Sequence, residues 1–237
     1  MKLHRNPIAI VGKASIFPEA PNLQTYWENI LNKLDCVIDV PPSHWSIAEY
    51  YDPEPTTPDK TYCKRGAFMP EVDFDPLEFG LPPNILEVTD TSQLLSLVVA
   101  RDALIDAGYL NAAEAVRERT GCVLGVGGGQ KLVSPLNSRL QYPVWTKVRR
   151  SVGIPEADIP PIVEKMKAAY VKWEENSFPG ALGNVVSGRI ANRFDLGGIN
   201  TVVDAACASS LSAVNLAIGE LVNHRADMMI TGGVDTD

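Results

Sequence analysis

The stretch Val203-Asp204-Ala205-Ala206-Cys207-Ala208-Ser209-Ser210-Leu211 concentrates the residue types with the most chemistry in this chain. It reads as a buried strand that turns through two small residues into a helix beginning at a cysteine. A cysteine at a helix N-terminus feels the positive end of the macrodipole, which favours the nucleophilic thiolate. Small neighbours at 205, 206 and 208 leave room for a carbonyl to approach. The backbone N–H of Cys207 points to where an oxyanion would form. This is the logic of a nucleophile elbow with sulfur in place of oxygen. Most cysteines are inert and buried; the order strand, small residue, cysteine, small residue, helix lifts Cys207 above that default.

The other reactive types offer less. The three histidines are His4, His44 and His224. His224 lies along the helix that Cys207 starts, about 25 Å away at the helical rise per residue. His4 precedes the first strand, and His44 sits beside Trp45 in a proline-rich stretch. None is placed as a base for the cysteine, and each reads as a surface or structural residue. Cys36, Cys63 and Cys122 form no CxxC pair, and no zinc-type spacing of Cys and His is present. Gly125-Val126-Gly127-Gly128-Gly129 follows a buried strand, as a dinucleotide-binding turn does. Its spacing is not G-x-G-x-x-G, however, and no acidic residue closes a second strand about 20 residues on. Backbone that comes close to another element is the better reading.

The 237 residues carry a formal charge of −8 and are 45% hydrophobic and 21% charged. That composition fits a globular chain with a sizeable core and excludes disorder, collagen and coiled coil as the main reading. An acidic chain is a poor general binder of nucleic acid. The basic cluster Lys147, Arg149 and Arg150 is a local exception. It reads as a solvated helix face or, alternatively, as a docking patch for an acidic partner. The most apolar run, Leu94 to Ala100, is broken by Ser96 and closed by Arg101 and Asp102, far short of the roughly 20 residues of a membrane span. No signal-peptide pattern opens the chain, so the expected location is cytoplasmic.

Elements that position Cys207 follow from the apolar pattern. Ile8-Ala9-Ile10-Val11-Gly12 reads as a first buried strand, Gly121 to Val126 as a second, Thr201 to Asp204 as a third and Met228 to Val234 as a fourth. Helical spacing marks Leu23 to Leu34, and a further helix runs from Asp90 and Gln93, a capping-box pattern, to Gly108. Others open at Pro160-Pro161 with Ile162, Val163, Met166, Tyr170 and Trp173 on one side, run over Gly188 to Phe194, and run over Cys207 to Val222. Prolines punctuate residues 38–88 too densely for a long helix, so an extended excursion with short strands and aromatic anchors is expected there. Alternating buried strands and helices argue an α/β fold with a mainly parallel sheet.

The whole chain resembles the β-ketoacyl synthases. DAACASSL around Cys207 is close to their nucleophile motif. Ile8 to Gly12 with Phe17-Pro18, Val40-Pro41-Pro42 with Trp45, Phe74-Asp75-Pro76, Phe79-Gly80, and Ala103 to Gly108 fit their successive segments. So do Arg189 to Gly198 and Gly232-Gly233-Val234. Asn84 to Asp90, Ser177-Phe178-Pro179-Gly180 and Gly183 to Val186 resemble most the modular synthases of polyunsaturated fatty acids and the related heterocyst-glycolipid type. Where most modular synthases have Asp-Pro-Gln-Gln-Arg, this chain has Asp90-Thr91-Ser92-Gln93-Leu94.

The resemblance implies a thiolase-like α/β fold: the N-terminal half, a mainly parallel five-stranded sheet with helices on both faces. It implies one domain over 1–237, an incomplete ketosynthase lacking its C-terminal half, with the excursion at about 38–88. The implied activity is that of a 3-oxoacyl-[acyl-carrier-protein] synthase in fatty acid or polyketide biosynthesis. Cys207 is the nucleophile and its backbone N–H lies in the oxyanion hole. No cofactor is bound; substrates arrive on the phosphopantetheine arm of an acyl carrier protein. The implied partners are that carrier protein, a second copy in a homodimer and further domains of a modular synthase, with no nucleic acid and no membrane. The two histidines that assist decarboxylation belong to the family's second half, and none of His4, His44 or His224 sits in a matching motif. The expectation is therefore that these 237 residues alone do not condense. An α/β-hydrolase with a cysteine elbow would need an acid and a histidine after Cys207. A degradative thiolase shares the fold but not the DAACASSL wording, and a non-condensing partner protein would lack the cysteine.

Overall fold

The computed structural model describes residues 7–127 and 130–236. They form two compact units, one of Lys13–Asp73 and one of the remaining chain. In the smaller unit, α1 (Leu23–Leu31) starts where the Asn22 side chain accepts from the Thr25 N–H at 2.9 Å. It ends short of Leu34 because Asn32 closes it and Lys33 takes a left-handed φ of 54°. None of its residues is buried, so the apolar stripe through Tyr26, Trp27, Ile30 and Leu31 faces outward. The proline-rich stretch holds strands β1 (Ile38–Asp39) and β2 (Arg65–Gly66), paired antiparallel, and one helical turn, Ile47–Tyr50. Aromatic rings anchor it: His44 meets Phe68 edge-on, and Trp45 meets Tyr50.

The larger unit is built on β3 (Thr120–Val126). Helix α2 (Thr91–Asp106) precedes that strand, and Gly108 stops the helix region at φ 74°. After β3 come α3 (Val133–Arg139), α4 (Tyr142–Ser151), α5 (Ile159–Lys167) and α6 (Val185–Arg193). Then follow β4 (Asn200–Val203), α7 (Ser209–Val222) and β5 (Met228–Val234). The sheet order is β4-β3-β5, all parallel, with Gly125 level with Val203 on one side and Gly233 on the other. Every residue of β3 is buried, as a central parallel strand covered on both faces must be. Gly125 faces α7, whereas Val126 on the opposite pleat lies beside Gly183, just before α6.

Three expectations change. The five-stranded sheet has three strands among the described residues. Ile8 to Gly12 is not one of them. Ile10 is 82% exposed, and an apolar run becomes a strand only where a neighbouring edge accepts its backbone hydrogen bonds. The segment instead runs against the end of α2, where a Cβ on Gly12 would lie 2.5 Å from the Ala103 carbonyl oxygen. Helix α5 starts at its proline pair as expected but stops at Lys167, so Tyr170 and Trp173 lie beyond it. Trp173 donates from Nε1 to the Leu136 carbonyl at 3.0 Å, which fixes the chain after α5 against α3.

Candidate active site

Strand β4 ends at Val203, and the chain reaches α7 through a 3-10 turn, Ala206–Ala208. Cys207 is the middle residue of that turn and is exposed. It therefore stands two residues ahead of α7 and is not its first residue. Local polar groups hold the turn. Asp204 Oδ1 accepts from the Ala206 N–H at 3.1 Å. The Ser209 hydroxyl accepts from the Ala205 N–H at 2.8 Å and donates to the Ala206 carbonyl at 2.7 Å. Ser209 is buried and its two bonds are partly shielded from water, whereas the Asp204 bond is exposed.

Ala206 adopts φ 49°, a left-handed conformation that L-residues avoid. A strained residue just before an exposed sulfur is the sharp turn an elbow needs. Composition gave no hint of it, because alanine ordinarily prefers the right-handed region. Close approach completes the arrangement. A Cβ on Gly125 would lie 2.5 Å from the Ser209 carbonyl carbon and the Ser210 nitrogen, so only glycine lets α7 start this near the sheet. Gly233, level with Gly125 on β5, is likewise pressed against Ser210. Gly127 faces Asp204, Ala206 and Ser209 at 3.6 to 3.7 Å from its would-be Cβ. Close backbone approach is thus the role of Gly125 within β3; Gly127 after it has only ordinary contact distances, and Gly128 and Gly129 lie outside the described residues.

Among the described residues of this unit, no histidine is brought to Cys207. His224 follows α7, whose fourteen residues span about 21 Å. His44 belongs to the Lys13–Asp73 unit, packed on Phe68. His4 lies outside the described residues. Cys122, in the middle of β3, has its thiol pushed up to about 12 by burial and is held as an inert thiol. Of the basic cluster, Arg149 donates to the Trp145 carbonyl and the Met166 sulfur, and Arg150 pairs with Glu156. Among the described residues no group of three His, Cys, Asp or Glu could hold a metal ion, and no helix is long and apolar enough to cross a membrane.

Sequence reasoning missed a polar knot at the start of α2. The Asp90 carboxylate caps the helix, Oδ1 accepting from the Ser92 N–H at 3.0 Å. The expected partner half of the capping box is absent. Gln93, fully buried, instead donates to the carbonyls of Pro179, Gly180 and Leu182 at 2.9 to 3.0 Å and accepts from Arg189 Nε. The Asp90 N–H goes to the Gly180 carbonyl at 2.9 Å. Asp90 Oδ2 accepts from the Leu132 N–H at 2.9 Å. Residues from four distant parts of the chain meet here, which local spacing could not show.

The fold and site define an α/β protein with an accessible cysteine on a strained turn at the carboxyl end of a parallel strand. Residues 5–237 match the family described as "Beta-ketoacyl synthase, N-terminal domain", and the chain belongs to it. It is 49% identical over 230 residues to a polyunsaturated fatty acid synthase protein of Thraustochytrium sp., covering 97% of this chain and 8% of that protein. It is 32% identical to polyketide synthase PksN of Bacillus subtilis, covering 97% of this chain and 4% of that one. Among solved structures, it resembles the oxazolomycin ketosynthase domain OzmH KS7 of Streptomyces albus at TM-score 0.71 and 27% identity, over 96% of this chain and 34% of that one. The ketosynthase from module 6 of the bacillaene synthase of Bacillus subtilis gives TM-score 0.65 at 25% identity, over 96% and 31%. The fold is thus the thiolase-like α/β fold of ketosynthases, and the chain spans less than a tenth of the two synthases and about a third of the solved chains.

Proposed function

We propose that the chain is the acyl-accepting part of a β-ketoacyl synthase working on carrier-bound acyl groups, and that Cys207 is its nucleophile. The observation that carries this reading is the exposed Cys207 sulfur on the Ala206 turn, at the carboxyl end of β4 where α/β sheets bind their ligands. The Cys207 thiolate attacks the carbonyl of an acyl thioester on a phosphopantetheine arm. The tetrahedral oxyanion collapses, the pantetheine thiol leaves and takes up a proton, and the acyl group rests on sulfur. The backbone N–H of Cys207 is one donor for that oxyanion. Condensation follows when a malonyl thioester loses carbon dioxide and its carbanion attacks the acyl carbonyl, releasing the Cys207 thiolate and a chain two carbons longer.

Acyl transfer needs a sulfur, a donor and room; the exposure of Cys207 on its turn supports that step. Decarboxylation needs donors that stabilise a developing enolate. His224 stands at the far end of α7, and His44 is packed on Phe68 in the other unit. With His224 a full helix away from Cys207, our reading is that these 237 residues accept an acyl group without condensing it. The partner that delivers the acyl group is an acyl carrier protein, and the cation-bearing α4 is a docking face of suitable sign.

Intact-mass measurement with an acyl N-acetylcysteamine thioester tests the reading. The chain gains one acyl mass at Cys207, and Cys207→Ala gains none. Acylation that survives Cys207→Ala sinks the assignment.

A further inference from the structure

We propose that the cleft where α3, α4 and α5 meet binds an amphiphilic anion, a carboxylate carried on a hydrocarbon chain. The cleft has a volume of about 280 Å³ and is lined by Arg139, Leu140, Tyr142, Lys167, Lys172 and Trp173. Arg139 and Lys167 are the last residues of α3 and α5, Tyr142 is the first of α4, and Lys172 and Trp173 follow α5. None of them belongs to the Cys207 turn, so the proposal stands whether or not Cys207 carries an acyl group. Hydrogen bonds fix the walls. Arg139 donates from Nη1 to the carbonyls of Lys167 and Tyr170, and Trp173 donates from Nε1 to the Leu136 carbonyl at 3.0 Å. Tyr170 in turn stacks on Trp145 of α4, ring centroids 5.8 Å apart. Walls tied in advance lose little freedom when a ligand enters.

Three cations on one cleft set the sign of the ligand, in a chain whose formal charge is −8. A cation at a helix C-terminus has an ordinary reason to be there, since it meets the last carbonyls. Arg139 does this through Nη1, and both of its hydrogen bonds among the described residues use that atom. The Nε–Nη2 edge is left over, and such an edge grips a carboxylate with two parallel bonds. Lys172 has no helix end to serve. It lies beyond α5 and has no hydrogen-bond or ion-pair partner among the described residues. Lys167 is shared: its ammonium pairs with Glu164 at 2.8 Å and stands 4.2 Å from the centre of the Tyr142 ring. The pull on an anion already shows in Glu164, whose carboxyl is held below the usual range by the bond from Lys167, with Arg139 adding to it. Apolar walls decide the rest of the ligand. Leu140, Tyr142 and Trp173 are 41 to 50% exposed. A bare inorganic anion leaves them wet, whereas a hydrocarbon chain covers them while its carboxylate reaches the cations.

Titration of the 237-residue chain with decanoate, read by NMR at the indole N–H of Trp173, tests the site. The Trp173 signal shifts and saturates, and decanol, which lacks the charge, moves it far less. Lys172→Ala, at an exposed residue with no partner to lose, weakens decanoate binding about tenfold. Lys147→Ala, which removes a cation of α4 outside the cleft, binds decanoate as the wild type does. Decanol that moves the signal as far as decanoate marks plain apolar adsorption and overturns the proposal. So does Lys172→Ala binding within about twofold of wild type, or an equal loss in Lys147→Ala, which marks net charge alone. The indole of Trp27, 58% exposed in the smaller unit, reports adsorption elsewhere; a shift there at the same concentrations also overturns the site. Inorganic phosphate that binds as tightly as decanoate overturns the requirement for a hydrocarbon chain.

Discussion

The cysteines at 122 and 207 share a side chain and differ in everything the fold decides. Cys122 is buried in the central strand and its thiol is pushed up to about 12 by loss of water. Cys207 is exposed on a turn fixed by Asp204 and Ser209. The residue that makes that turn sharp is Ala206, at φ 49°. A β-branched side chain tolerates the left-handed region less well than alanine, and glycine tolerates it freely. Ala206→Val is therefore expected to lower unfolding stability by about 1–2 kcal/mol, whereas Ala206→Gly stays near wild type because relieved strain offsets the greater freedom of the unfolded chain. Urea denaturation of both variants checks this; a greater loss for glycine than for valine contradicts the strain.

At the scale of elements, the turn exists because α7 starts against the sheet with no side chain between. Gly125 and Gly233, level on adjacent strands, supply that gap. A methyl group on Gly125 would meet backbone atoms of Ser209 and Ser210 at 2.5 Å, and backbone of a helix start has little freedom to move aside. Gly125→Ala is expected to cost about 1–3 kcal/mol, the usual range for forcing a methyl into a packed site. Gly232→Ala is the matched control: it adds the same methyl to the next strand where nothing lies within 4 Å. Chemical denaturation of the pair should separate them, and equal losses would show that strand glycine alone, not the approach of α7, sets the cost. The same elements explain the half-formed capping box. Asp90 caps α2 as its type suggests, but Gln93 is drawn to the carbonyls of residues 179 to 182, which satisfy its amide better than the helix start would.

At the scale of the whole molecule, the ion pairs lie at the surface. Arg119 with Asp227, Arg150 with Glu156 and Arg225 with Glu220 hold their carboxyls below the usual range through exposed hydrogen bonds. Such pairs are screened by water and salt, so they give only a shallow loss of stability as acid protonates the carboxylates. The alkaline side is different. The Cys122 thiol ionises near 9 when unfolded and near 12 when folded, so its contribution is complete below about pH 9 and is lost as pH rises toward 12. Cys122→Ala, although less stable throughout, is expected to flatten the fall of stability with pH by up to about 1.4 kcal/mol per pH unit in that window. Denaturation midpoints at pH 8, 9 and 10 would reveal the difference in slope, and parallel slopes would deny Cys122 that role. Leu211 and Leu216 on α7 stay exposed at 76% and 47%.

The sequence by itself determined what local pattern and residue type can carry. Apolar runs over 120–126, 200–203 and 228–234 mark strands; the central one is buried throughout as a parallel strand covered on both faces must be, whereas no residue of its two neighbours is fully buried. The proline pair starts α5, Gly108 ends the helix region before β3, and small residues around Cys207 mark it out. Tertiary structure decided whatever depends on a partner from elsewhere in the chain. Ile8 to Val11 has a strand's composition but is not paired with either open edge of the sheet, and Gly12 after it packs on the end of α2 instead. The left-handed Ala206 persists because Asp204 and Ser209 bond across it. The knot of Asp90, Ser92, Gln93 and Gln130 is assembled from residues up to 89 positions apart, and burial makes each unmet bond costly. Periodicity reports which face of an element turns inward; it carries no record of which distant group waits there.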